Sequence, residues 1–297
     1  MTGTAPPRPH FKGMAAIQGI WLIHNDASGS NDAAGLAALR EHCRARGLPV
    51  AHETSFPRED LPRPQVIDAA GIGIVALFGG DGTINAALDA LQGWGGKVLV
   101  LPGGTMNLLY HRLFGDLDME EAIDQVASGK AASCRAELIE SDAGTGYAGV
   151  LAGPGTSWNT VREAMRSRDI AGIAREAGDA LENTLEGPPV ACVEPALGKA
   201  EGYPLIQLTP TRRGIEITAF YAETTSEYVK QTLALLQHDF RAGPHDVLGR
   251  EDSVTLRTLG NDDLGLLLDG EPASASGATT FRLGKAKVDM LTTRPDG

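Results

Sequence analysis

The sequence predicts two domains of different class. The first is a doubly wound α/β domain; the second is a mainly antiparallel β-sandwich with a helical insert. Three observations predict this. A length of 297 residues suits two domains better than one. From Ile17 to about Ser128, short apolar runs alternate with amphipathic stretches, as in strand–helix units around a parallel sheet. Beyond that stretch, many short strands are separated by turn signals, with few regular helices. The boundary is placed near residue 131, giving domains over 14–131 and 132–297. The last strand is a candidate to pack back on the first domain.

In order along the first domain, Ile17 to Ile23 is a strand. Asp32 to Arg46 carries Leu36, Leu39 and Cys43 at helical spacing, and Gly47 ends it. Leu48 to His52 is a weaker strand, and Gln65 to Ala70 ends a short helix. Ile72 to Phe78 is a buried-type strand, followed by Gly-Gly-Asp-Gly-Thr and a helix from Ile84 to Leu91. Lys97 to Leu101 is the next strand, followed by Pro-Gly-Gly-Thr-Met-Asn and a helix through about Phe114. Asp118 to Ala127 is one more helix.

In the second domain, strands are expected at Arg135 to Glu140, Tyr147 to Leu151, Val190 to Val193, Tyr203 to Leu208 and Gly214 to Tyr221. Others follow at Ser253 to Leu259, Leu264 to Leu268, Thr279 to Leu283 and Lys287 to Leu291. The helical insert covers Val161 to Leu185, and a helix from Thr225 to Gln237 carries a core stripe of Val229, Leu233 and Leu236.

Composition sets outer limits. Lys plus Arg number 26 against 38 Asp plus Glu, for a net charge of −12, so an extended nucleic-acid-binding surface is excluded. Cys43, Cys134 and Cys192 form no metal-ligand spacing and are expected to be reduced and mostly buried. No run of 18 apolar residues predicts a transmembrane helix. The polar, Pro-rich start MTGTAPPRPHFKG lacks the apolar core of a signal peptide, so a cytoplasmic location is expected. Glycine, at 37 residues, is well above the roughly 7% of average proteins.

Much of that glycine sits in two loops that share a plan: Gly82-Thr83-Ile84-Asn85 and Gly104-Thr105-Met106-Asn107. Each follows an apolar strand and opens a helix. Gly79, Gly80 and Gly82 leave no Cβ in the way of an approaching phosphate, and Thr83 and Thr105 are N-cap candidates. The helix N-terminus behind each loop attracts anions. Neighbouring parallel strands would bring both loops to one carboxyl edge, where open α/β sheets bind ligands. Asp81 repels phosphate unless a cation intervenes, and Mg²⁺ held through one carboxylate plus phosphate oxygens fits that need. The plainer alternative is that these are only connecting turns. Gly71 to Ala76 formally matches a dinucleotide fingerprint but lies inside a strand; no Walker loop, GxSxG elbow or HExxH occurs.

Late in the chain, Leu266-Leu267-Leu268-Asp269-Gly270-Glu271 ends an apolar run in two carboxylates. In an extended segment both would point to one face and could divide proton transfer and support between them. The alternative is an Asp-Gly hairpin turn with a solvated Glu.

LFGGDGTINAAL, LPGGTMN and the late Asp269-Gly270-Glu271 together resemble the diacylglycerol kinase catalytic family, which includes sphingosine, ceramide and bacterial lipid kinases. The resemblance implies an ATP-binding first domain, a β-sandwich second domain, and a lipid substrate entering between them. It implies that Asn25, Ser28, Gly79, Gly80, Asp81, Gly82, Thr83, Gly104, Thr105 and Asn107 hold the nucleotide. It further implies that Asp269 takes the lipid hydroxyl proton with support from Glu271, and that Asp81 serves catalysis and holds Mg²⁺. The expected activity is transfer of the γ-phosphate of ATP to a diacylglycerol-like or sphingoid-like lipid in phospholipid biosynthesis, by a protein peripheral to the inner membrane, with a homodimer as a candidate assembly. Two readings stay open beside it: a nucleotide- or lipid-binding regulator without catalysis, and a soluble-metabolite kinase akin to NAD kinases.

The chain departs from the family pattern twice. Asn25-Asp26-Ala27-Ser28-Gly29 has Asp where the family has Pro, adding a negative charge near the phosphates. Asn159 stands where the family has an acid, so Glu163 or Asp169 would have to replace it in a structural metal site. Arg162, Arg166, Arg168 and Arg175 form either a cationic patch for head groups or a solvated helix face.

Overall fold

The computed structural model describes residues 19–25, 33–104, 106–154, 187–220 and 245–294. The helical insert Val161 to Leu185 and the helix Thr225 to Gln237 lie outside the described residues. So do Asp26, Ser28, Thr105, Asn159, Glu163, Asp169 and the four arginines between 162 and 175. The chain divides into two compact units, Met1–Ala136 with Ala286–Gly297, and Glu137–Lys285.

The first unit contains, in chain order, β1 (Ile20–His24), α1 (Ala33–Ala45), β2 (Val50–Ser55), α2 (Pro64–Ala69), β3 (Ile74–Gly79), α3 (Asp81–Ala90), β4 (Lys97–Pro102), α4 (Leu108–Phe114), α5 (Met119–Ala127) and β5 (Ala132–Cys134). Its sheet has the order β2-β1-β3-β4, then the last strand of the chain, Asp289–Thr292, then β5. The pairs β1–β2, β1–β3 and β3–β4 are parallel. Every residue of β1 and β3 is buried, which is why these strands are continuous apolar runs rather than alternating ones.

The last strand packs back on the sheet of the first unit, as the sequence left open. It pairs parallel with β4 and antiparallel with β5. Met290 and Leu291 are both 0% exposed. Adjacent rather than alternating apolar residues suit a strand covered on both faces. The Thr292 hydroxyl donates to the Leu113 carbonyl at 2.6 Å and fixes the strand to the end of α4. Because β5 belongs to this sheet, the first unit runs to Ala136, past the boundary near residue 131.

Helix α1 buries Leu36, Leu39 and Cys43, the stripe read from their spacing. It stops where Gly47 takes φ +75°, a left-handed position that glycine adopts without strain. Helix α5 starts with a capping box. Asp118 Oδ1 accepts from the Glu121 N–H at 2.8 Å, and Glu121 Oε2 accepts from the Asp118 N–H at 3.0 Å.

Asp124 of α5 ties the two helices together. Its Oδ1 lies 2.8 Å from His42 Nε2, and it accepts two bonds from the Arg46 guanidinium at 2.6 and 2.8 Å. The Arg46 guanidinium, with a lesser contribution from His42, holds the Asp124 carboxyl below its ordinary range. Its folded value is thus lower than its unfolded one. The stabilisation is full above the ordinary Asp value of about 3.9 and is lost as pH falls through the lowered folded value. Asp124→Asn is therefore expected to lower Tm by about 1–3 °C at pH 7, since the pair is solvent-exposed. The difference from wild type should vanish in thermal scans as pH is taken well below 3.9. An equal deficit at pH 7 and at pH 2.5 would show that the charge contributes nothing.

The second unit contains β6 (Glu137–Ser141), β7 (Gly144–Gly146), β8 (Val150–Pro154), β9 (Val190–Glu194), β10 (Ala196–Leu197), β11 (Leu205–Thr211), β12 (Gly214–Phe220), β13 (His245–Glu251), β14 (Ser253–Thr258), β15 (Leu264–Leu268), β16 (Glu271–Ala275) and β17 (Ala278–Lys285). These form two sheets, β10-β9-β14-β17-β6-β7 and β13-β12-β11-β8-β15-β16. Every strand pair in them is antiparallel. Alternate residues of both sheets, including Val254 and Leu256 of β14, Ile215 and Ile217 of β12, and Leu264, Leu266 and Leu268 of β15, meet in one apolar core. No helix among the described residues is long and apolar enough to cross a membrane.

Candidate functional site

The glycine loops belong to the first unit. The paired ends Gly79↔Pro102 of β3 and β4 put both loops at the carboxyl edge of the sheet, beside the end of β1. The Gly103 N–H donates to the Gly79 carbonyl at 3.3 Å and carries the pairing one step into the loops. Beyond it the two backbones touch. A Cβ added at Gly104 would stand 2.6 Å from the Cα of Gly80 and 3.4 Å from its nitrogen. Glycine is required at 104 for this reason, whereas a Cβ at Gly80 would meet Gly104 Cα at an ordinary 3.7 Å.

Helix α3 starts earlier than the sequence suggests. Its N-cap is Gly80, not Thr83, and the Gly80 carbonyl accepts from the N–H groups of Thr83 and Ile84 at 3.0 and 3.1 Å. Thr83 is therefore the third helical residue. Its hydroxyl accepts from Asn25 Nδ2 at 3.0 Å, which ties the end of β1 to the helix across β3. Asp81 is the first residue of α3 and is 7% exposed. A carboxylate there is favoured by the helix dipole.

In the second loop, Thr105 lies outside the described residues, and the N-cap of α4 is Asn107 with φ +52°. Asn tolerates that left-handed conformation better than most residues. Its side chain closes on the loop itself. Oδ1 accepts from the Gly104 N–H at 2.7 Å and Nδ2 donates to the Gly104 carbonyl at 3.0 Å. Asn107 thus holds Gly104 against Gly80. The sequence reading also passed over His24. It is buried at the end of β1 with Nε2 2.9 Å from Glu53 Oε1, and Arg40 pairs with the same carboxylate. A lone His in an apolar strand gives no signal of such a partner.

The arrangement suits an anion. Two loops meet through Gly80 and Gly104 at a sheet edge, at the N-terminus of a ten-residue helix. Among the described residues no three His, Cys, Asp or Glu side chains cluster as metal ligands. Mg²⁺ is commonly held through one carboxylate with phosphate oxygens and water, and Asp81 offers that donor. Cys43 and Cys192 are buried. Burial pushes the thiols of Cys43 and Cys192 up to about 11, so both are protonated and inert at neutral pH.

The late carboxylates belong to the second unit, and the segment that carries them is not extended. Asp269 and Gly270 both have positive φ, +50° and +83°, and form the two-residue turn between β15 and β16, with Leu268 paired to Glu271. The segment is a hairpin turn rather than an extended run. The turn buries Asp269 to 2% exposure, with its carboxylate against the segment entering β8. Oδ2 accepts from the Tyr147 N–H at 2.7 Å, and Oδ1 accepts from those of Ala148 and Gly149 at 2.7 and 3.0 Å. The Asp269 N–H returns a bond to the Gly149 carbonyl at 3.1 Å. Glu271, the first residue of β16, stays partly exposed. The three donors of Asp269 are backbone groups, so no side-chain pattern announces them.

Residues 19–136 match the family model described as the diacylglycerol kinase catalytic domain. No curated protein matches the chain. Among solved structures, a diacylglycerol kinase from Bacillus anthracis superposes with a TM-score of 0.58 at 15% identity, over 94% of this chain and 98% of that one. Two further structures from the same organism reach 0.61 and 0.60 at 14% identity, over 95% of this chain and 100% and 98% of theirs. At such identity the likeness is one of fold, a mixed α/β arrangement rich in strands. The family match spans β1 to β5, both glycine loops and α3, so over residues 19–136 the chain is similar to the diacylglycerol kinase catalytic domain.

Proposed function

We propose that the chain is a lipid kinase that transfers the γ-phosphate of ATP to a hydroxyl of a diacylglycerol-like or sphingoid-like lipid. The observation that carries this reading is the backbone contact of Gly80 with Gly104 at the sheet edge, within the segment that matches the family. The loops would cradle the phosphates through backbone N–H groups, with Gly79, Gly80, Asp81, Gly82, Thr83, Gly104 and Thr105 along their track. Asn25 and Asn107 set the loops in place through Thr83 and Gly104. Asp81 would hold Mg²⁺, whose charge offsets that on the transferred group. A carboxylate of Asp269-Gly270-Glu271 would take the hydroxyl proton. The substrate class places the protein at the inner-membrane surface in phospholipid metabolism.

The test is direct. The full chain with γ-labelled ATP and Mg²⁺ is expected to label one of diacylglycerol, monoacylglycerol, sphingosine or ceramide in mixed micelles. No labelled lipid, under conditions where a control lipid kinase works, would sink the reading. Label on NAD without detergent would replace it by the soluble-metabolite one. The burial of Asp269 favours one competitor, a nucleotide-binding protein without turnover. That reading predicts ATP binding by titration with every lipid unlabelled.

A further inference from the structure

We propose that Thr292 is a positioning residue for the nucleotide: acting through helix α4, it holds the second glycine loop against the first. The inference rests on the reading of the two loops as the phosphate site. A chain of contacts within the first unit carries it. The Thr292 hydroxyl donates to the Leu113 carbonyl, in the last turn of α4, at 2.6 Å. At the other end of α4 the Asn107 carbonyl accepts from the His111 N–H at 3.0 Å. The Asn107 amide bonds the N–H and the carbonyl of Gly104 at 2.7 and 3.0 Å. Gly104 in turn lies so near Gly80 that a Cβ on it would stand 2.6 Å from the Gly80 Cα.

Helix α4 depends on such anchors. It has seven residues, fewer than an isolated helix needs to persist in water. Its N-cap side chain makes no bond into the helix, because it is engaged with Gly104. Burial of Leu108, Leu109, Leu113 and Phe114 holds α4 in place, but apolar contact has no direction and does not fix the helix along its axis. Directed bonds do. Carbonyls in the last turn of a helix lack a partner within it. That of His111 accepts from the Gly115 N–H at 2.8 Å, whereas that of Leu113 takes its donors from the last strand, the Thr292 hydroxyl and the Thr293 N–H at 3.1 Å. The same hydroxyl accepts from the Arg294 N–H at 2.9 Å, so it is held on both sides. Thr292 is 0% exposed, which leaves no bulk water to replace its hydroxyl. Leu113 and Thr292 stand 179 positions apart, so no motif around the loops announces the bond.

Coupling of this kind is reciprocal: if Thr292 places the loop, a nucleotide in the loop steadies the strand end. Hydrogen exchange of the wild-type chain, with and without Mg²⁺ and a non-hydrolysable ATP analogue, reads that directly. The Thr293 and Arg294 amides are expected to slow by about threefold or more on binding, although neither lies in the loops. The Gly47 amide, which bonds the Arg44 carbonyl at the end of α1, should stay unchanged. Thr292→Val removes the hydroxyl at nearly the same volume. It is expected to raise the analogue Kd by about three- to tenfold and to speed exchange at the Gly104 amide, with Tm lowered by only a few degrees. Thr292→Ser keeps a hydroxyl and should return Kd to within about twofold of wild type. Asp124→Asn, which loosens α1 and α5 instead, should leave Kd unchanged.

An analogue that slows the loop amides but leaves those of Thr293 and Arg294 unchanged would overturn the proposal, and that arm decides the matter even where Thr292→Val does not fold. So would a folded Thr292→Val protein with wild-type Kd. A Kd raised as much in Thr292→Ser or in Asp124→Asn as in Thr292→Val would also overturn it, since the hydroxyl would then not be the cause. A wild-type chain that binds no analogue fails the reading of the loops as a nucleotide site and takes the Thr292 role with it. Wild-type binding combined with any of the reversed results fails this inference alone.

Discussion

Gly104→Ala is expected to lower the affinity for a non-hydrolysable ATP analogue at least tenfold and to lower Tm by several degrees. Gly80→Ala should leave Tm within about a degree of wild type. The asymmetry comes from the loop contact. A Cβ on residue 104 would stand 2.6 Å from a backbone carbon of residue 80, and no side-chain rotation relieves that. It would also press on Asn107 Oδ1 at 3.3 Å, the atom that receives the Gly104 N–H. The loops must then separate, and overpacking of this kind costs about 1–3 kcal/mol. At position 80 the same atom meets its nearest neighbour at 3.7 Å, and φ of −77° suits any residue. Titration calorimetry with parallel thermal scans reads both effects. Wild-type affinity in Gly104→Ala would show that the contact between the loops is not part of a nucleotide site.

The loops were legible because glycine at a strand end followed by Thr-x-Asn is a local signal, and here it occurs twice. What the pattern conveys is composition rather than role. It suggests Thr83 as an N-cap, whereas the helix already turns at Asp81 and the hydroxyl serves Asn25. It does not show that the Asn107 amide bonds both the N–H and the carbonyl of Gly104.

Strands of the core were legible for a similar reason. Ile74 to Phe78 and Leu264 to Leu268 are short apolar runs bounded by glycine or aspartate, too short for a buried helix and suited to a strand covered on both faces. Edge strands were not. His245–Glu251 and Glu271–Ala275 carry charge or proline, as sheet margins do, and so resemble loops in sequence. The return of the last strand to the first sheet is a long-range pairing, visible beforehand only as a strand free to pack elsewhere. At Asp269 the hairpin-turn reading is the one the backbone follows. The Asp-Gly turn is present, and the same turn carries a buried carboxylate into three backbone donors.

Asp81→Asn is expected to reduce kcat by about 10²-fold or more while Tm falls by no more than a few degrees. The substitution keeps the shape of a 7% exposed side chain at the first position of α3. It removes the favourable interaction of a carboxylate with the helix N-terminus, worth about 0.3–1 kcal/mol. The sign of its effect on nucleotide affinity identifies the role of the charge. A carboxylate beside bound phosphates repels them, and more strongly where water is excluded. If Asp81 acts only as a charge, Asp81→Asn binds ATP more tightly than wild type whether or not Mg²⁺ is present. If Asp81 holds the cation, the order inverts with the metal. In EDTA the variant binds ATP at least as well as wild type, whereas in millimolar Mg²⁺ wild type gains affinity and the variant gains much less. The second pattern is the expected one, because a carboxylate opening an anion-binding helix is otherwise an obstacle to the ligand that the loops are shaped to receive. Titrations of both proteins in EDTA and in Mg²⁺ decide it, and an equal gain from Mg²⁺ in the two would remove Asp81 from the metal site.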